Sequence, residues 1–271
     1  MIAARASHAV ALIVLIILFA GLVLHSRQAA ADLGEPALLT GYLLYALFLG
    51  LGAFNVRKRL AMVPLGRAGL WTAAHVYGGV FALPLYWLHT GNLWPSGLYE
   101  QVLAVLFYAV AATGFVGYAI QRVYPAWLTQ TGLEIIYERI PAELARLRTA
   151  AATVVFDCTR EIESDTLARH HLETFAWYFR RPRFALSYLF GGRRGAHWVL
   201  RQQATLTRYL DDRERDYLDR LIELGLAKTR LDVHHALQSA MKLWLLVHLP
   251  LAVAAIALAT WHLVLVHVYA L

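Results

Sequence analysis

The chain has 271 residues, of which 59% are apolar, and a mean hydropathy of +0.50. That excludes an ordinary soluble domain, because the apolar residues come in blocks long enough to cross a bilayer. The net charge of +7 tracks membrane topology and argues against a nucleic-acid surface: Arg5 precedes the first block, Arg57, Lys58, Arg59 and Arg67 crowd one loop, and the loops after the first and third blocks carry only Arg27.

Five spans are expected, over 8–24, 37–53, 70–89, 98–120 and 240–269. The first has a short basic leader and no clear A-x-A site before Gln28, so it reads as a retained span and not a cleaved signal. Excess positive charge before the first span and between the second and third places the N-terminus inside and the C-terminus outside. The predicted fold class is therefore an all-α integral membrane protein. Residues 1–120 hold transmembrane helices 1–4, 121–239 form a cytoplasmic helical segment, and 240–271 hold the fifth transmembrane helix.

Glycines recur along the spans: Gly41, Gly50 and Gly52 in the second, Gly78 and Gly79 in the third, Gly114 and Gly117 in the fourth. Such positions admit a neighbouring helix or a flat ligand. Pro84 and Pro250 are expected to bend their helices. Trp87, Trp94, Tyr99 and Trp261 suit the outer interface, and Tyr124 and Trp127 the inner one.

In the cytoplasmic segment, Pro141 with Glu143 predicts a helix start, with Leu144, Leu147, Ala151 and Val154 on one face. A second helix is predicted over 159–179 and a third over 197–224. The third has Leu206, Leu210, Tyr217, Leu221 and Leu224 on one stripe, and Gly225 stops or kinks it. Residues 174–190 lace aromatics with Arg180, Arg181 and Arg183. Two readings stay open there: packing inside the helical layer, or a stretch lying among inner headgroups with arginines on lipid phosphates. The single cysteine, Cys158, has no partner for an intrachain disulfide. With no C-x-x-C-H motif and no cysteine cluster, this chain alone holds neither haem c nor an iron–sulfur centre.

The histidines carry the chemistry. His75 and His89 lie fourteen residues apart in the third span, and His248 and His262 lie fourteen apart in the fifth. Fourteen residues rise about 21 Å and return to nearly the same helix face. Each helix then points one imidazole inward near each leaflet. With both spans running outward, His75 meets His248 at the inner level and His89 meets His262 at the outer level. Two opposed nitrogen ligands per level suit the iron of haem b, whereas zinc prefers three or four converging protein ligands. Two bis-histidine haems b, stacked in a four-helix bundle, are expected. Gly78 and Gly79 would make room for porphyrin, and Arg59 and Lys242 would meet propionates at the inner level. Asn92, Trp94 and Tyr99 are the outer counterparts. His234, a further fourteen residues before His248, has only Ala61 opposite it, so His234 and His235 read as cytoplasmic surface or helix-terminus residues. His267 is the alternative outer ligand.

This H-x13-H pattern on two parallel spans, at His75, His89, His248 and His262, resembles the membrane di-haem b-type cytochromes. It is closest to the haem bundle of the cytochrome b family and similar to the ferric-reductase transmembrane domain. The Pro-Glu-Trp-Tyr signature of quinol-oxidising members is absent, and so is a flavin or nicotinamide domain. The resemblance implies axial haem ligation by the four histidines and a subunit of the bacterial cytoplasmic membrane. It implies electron transfer between quinone or quinol and a partner redox protein, a c-type cytochrome or an iron–sulfur protein. Two alternatives are a reductase component fed by a cytoplasmic flavoprotein and a haem-free membrane scaffold or transporter.

Overall fold

A computed structural model describes residues 2–59 and 66–269, and among these the side chains of all but 2–8 and 57–59. Every regular element among them is helical. The chain divides into two compact units: Met1–Tyr118 with Leu245–Leu271, and Ala119–Trp244.

The first unit contains α1 (Ile2–Ala31), α2 (Pro36–Arg59), α3 (Ala68–Thr90) and the apolar parts of α4 (Leu98–Gln130) and α10 (Asp212–Tyr269). Four helices are long and apolar enough to cross a membrane, within Ala9–Ala31, Pro36–Val56, Leu98–Gln130 and Asp212–Tyr269. Five were expected, and α3 is the one outside this group. Its 23 residues rise about 35 Å, but His75, Tyr77, Pro84, Trp87 and His89 take places that aliphatic residues fill in the others. In α1, Ile13, Ile16, Ile17 and Leu24 are each more than half exposed. Lipid stabilises such a surface and water does not. The buried cluster of this unit joins Leu44, Ala82, Leu85, Tyr86, Ala104 and Phe107. Tyr86 stacks on Phe107 with centroids 4.2 Å apart. Tyr45 Oη meets Thr260 Oγ1 at 2.9 Å, and Tyr99 Oη donates to the Leu258 carbonyl at 2.7 Å, tying α10 to α2 and α4. The helices run through Pro84 and Pro250 without a break.

The second unit is built on α5 (Ile140–Ile162), which buries Leu144, Leu147, Ala151, Val155 and Cys158. Val155, not Val154, completes the buried stripe, with Val154 packed at its margin. The helix expected over 159–179 begins later, at Thr166, and carries a π-turn. Glu163 ends α5 in the left-handed region at φ 58°, and a new run starts with α6 (Thr166–His170), passes a π-turn at His171–Phe175 and ends with α7 (Ala176–Arg180). Next come α8 (Ala185–Leu189) and α9 (Arg194–Leu206). The expected helix over 197–224 is also corrected. Glu214 N donates to Asp211 Oδ1 at 2.7 Å and Asp211 N to Glu214 Oε2 at 3.0 Å, a reciprocal cap that starts α10 at Asp212. Gly225 does not stop α10. A Cβ there would lie 3.0 Å from Val199 Cγ1, so the glycine lets α9 approach.

Candidate functional site

The first unit brings His89 and His262 together. Their ring centroids are 6.5 Å apart with planes at 82°. A metal–imidazole bond is about 2 Å and the ring centre lies about 1 Å beyond, so two imidazoles sharing one ion in trans have centroids about 6 Å apart. Both rings line a cavity of about 270 Å³ whose walls include Gly41, Leu44, Phe48, Phe107 and Leu263. Ligand pockets typically measure about 300–1,000 Å³, are mostly apolar and carry a few placed polar groups. A Cβ on Gly41 would lie 2.8 Å from His89 Cε1, so glycine is what allows that imidazole against α2. Tyr99 stacks on His262 at 6.0 Å and 18°.

His75 faces a separate cavity of about 190 Å³, lined also by Gly50, Phe54 and Trp71. Phe54 lies 4.8 Å from its ring centroid. His248 sits beside Gly114, where a Cβ would be 3.7 Å from His248 Cε1.

Three of the four imidazoles are held by Nδ1. His89 Nδ1 lies 3.0 Å from the Ala37 carbonyl, and His75 Nδ1 lies 3.2 Å from that of Leu51. A carbonyl only accepts, so Nδ1 carries the proton and Nε2 the lone pair. His248 Nδ1 meets Thr113 Oγ1 at 2.9 Å, and that hydroxyl donates to the Ala109 carbonyl at 2.8 Å. Thr113 therefore accepts from His248 and imposes the same tautomer. Metal-binding histidines are oriented in this way, the second nitrogen donating to a fixed acceptor.

His234 is the opposite case and corrects an expectation. It is buried, 3% exposed, and lies inside α10, not on the surface or at a helix end. Its Nε2 donates to Thr131 Oγ1 at 2.8 Å, because that hydroxyl is committed to the Leu128 carbonyl, and its Nδ1 faces the Gln238 amide at 3.2 Å. Burial holds its imidazole below the usual range. His235 is half-buried and stacks on Tyr137. His267 is bonded to Tyr42 Oη at 2.6 Å through Nε2.

The structure places the remaining expected groups differently. A Cβ on Gly78 would lie 3.1 Å from Leu51 and 3.2 Å from Leu47, so Gly78 lets α2 pack closely; neither it nor Gly79 lines these two cavities. Lys242 is paired with Glu138 and stacks on Tyr137, within the second unit. The Arg59 side chain lies outside the described residues, as does Ala61. Among the described residues no three His, Cys, Asp or Glu side chains converge to hold a metal, which disfavours a zinc centre of protein ligands. Thr113 and Glu100, the latter in the wall of the cavity that His89 and His262 line, were not anticipated. Glu100 lies in the first turn of α4, where an acidic residue needs no further reason.

No protein-family model matches the chain, and no curated protein or solved structure matches it.

Proposed function

We propose that this chain is a di-haem b-type cytochrome subunit of a membrane oxidoreductase complex, similar to the cytochrome b and ferric-reductase bundles. The 6.5 Å approach of His89 and His262 across an apolar cavity carries the reading. The shared tautomer of His75, His89 and His248 supports it. In the proposal His89 and His262 hold one haem b and His75 and His248 the other, about 21 Å apart along the helices. Bound there, haem b supplies one-electron transfer. His75, His89, His248 and His262 would hold the group, three of them with the lone pair on Nε2, and the apolar walls would exclude water.

The α3 helix then crosses the membrane as a fifth span, His75 and His89 turned toward the proposed cofactor cavities, in a cytoplasmic membrane of bacterial type. Electrons pass between quinone or quinol and a partner such as a c-type cytochrome or an iron–sulfur protein. Adding a soluble quinol to the purified, oxidised chain and recording the difference spectrum tests the reading. Appearance of a reduced low-spin haem b band is expected; a chain with bound haem that quinol never reduces contradicts the quinol-linked role.

A further inference from the structure

The aromatic, arginine-rich stretch splits into two parts. Phe175, Tyr178, Phe179 and Tyr188 are buried in the second unit, which settles half of its aromatic content as core. Trp177 and Phe184 are partly exposed, and Leu186 and Phe190 stand out at 75% and 84% exposed. The latter two lie one turn apart, on one face of α8 and its end. Charge is segregated around them: between Glu173 and Asp211 all seven charged side chains are arginines, with no acidic residue. Arg181, Arg193 and Arg194 among them are exposed.

The place of this surface is fixed by α4. Tyr124 Oη donates to the Leu189 carbonyl at 3.3 Å, and Tyr124 stacks on Trp127. Gly191, at φ 73°, presses on the Trp127 ring, where a Cβ would meet it at 3.1 Å. Arg122, Tyr124 and Trp127 follow directly on the apolar run of α4 that ends near Ile120, the arrangement of residues that settle at a membrane interface. We propose that α8 and the turn after it form a lipid anchor, with Leu186 and Phe190 inserted at the headgroup–acyl boundary and Arg181, Arg193 and Arg194 on anionic phospholipid phosphates. The proposal rests on the membrane reading and not on the haems.

Cys158 is the only cysteine and is fully buried, so a spin label goes to an introduced thiol. The full chain carrying Phe190→Cys, or Leu186→Cys as a second reporter, is placed in nanodiscs of phosphatidylcholine with phosphatidylglycerol. Collisions with oxygen and with a water-soluble nickel chelate are measured against Arg146→Cys, on the exposed face of α5. The expected oxygen-to-nickel ratio at Phe190 is several times that at Arg146. It should fall when Arg193→Gln and Arg194→Gln are added, or when the anionic lipid is omitted. A ratio equal to the control overturns the anchor. So does shielding from both reagents, which means that protein covers the face. A ratio insensitive to both lipid charge and the arginines overturns the phosphate contacts.

Discussion

At the scale of single residues, haem ligation depends on which ring nitrogen carries the proton. Thr113→Val removes the hydroxyl 2.9 Å from His248 Nδ1, a loss of about 0.5–1.5 kcal/mol for that hydrogen bond. The haem proposed at His75 and His248 should then shift its electron paramagnetic resonance signal while the other signal stays in place. Gly41→Ala puts a methyl 2.8 Å from His89 Cε1 and should weaken only the haem proposed at His89 and His262, read by the same spectra. His267→Ala should spare both signals, since His267 is engaged with Tyr42 and its own helix at Leu263. His75→Ala should disturb the signal that His248→Ala disturbs; if it matches His262→Ala instead, the pairing is wrong. The approach of His89 to His262 was expected from a fourteen-residue repeat on two apolar runs, which is a periodicity. Thr113 was not, because a lone threonine in a span bonds its own helix carbonyl whether or not it serves another helix. The tautomer of His234 was equally hidden, since it depends on Thr131, 103 residues away in sequence.

At the scale of elements, existence was easier to read than ends. The start of α5 is carried by Pro141 and Glu143, but the break before α10 hides in an acidic run that reads as a solvated helix face until Asp211 and Glu214 are seen to cap each other. Gly225 looks like a stop, yet it is a contact. The same stretch of α10 buries Lys228 and Asp232, both 0% exposed at the side chain and 2.5 Å apart. Lys228 also donates to the Arg181 carbonyl at 3.0 Å and lies 3.9 Å over the Tyr178 ring. Above about pH 7, where Asp232 is ionised, Lys228→Met alone strands the carboxylate and should cost about 3–5 kcal/mol, whereas Lys228→Met with Asp232→Leu should cost far less. Burial raises the Asp232 carboxyl to about 7, against the pull of Lys228. Its proton is bound in the folded chain before the unfolded one, so this contribution to stability is present below its ordinary 3.8 and lost as pH rises to about 7. The melting temperature should fall across that range in the natural chain and less steeply in the double variant.

At the scale of the whole molecule, α3 decides whether four helices or five cross the membrane. Of the residues that lower its hydropathy, His75 and His89 line the two cavities, while Trp87 is partly exposed and donates to Tyr108 Oη at 3.0 Å. Five spans put the termini on opposite sides. A periplasmic reporter should be active after Leu271 and silent at Gly192, and activity at both positions would contradict the topology. The central claim is that the two histidine levels hold haem, and its most direct measurement is a pyridine haemochrome assay on the purified chain. About two haems b per polypeptide are expected, falling to about one in His89→Ala with His262→Ala. A value near zero in the natural chain would contradict the claim.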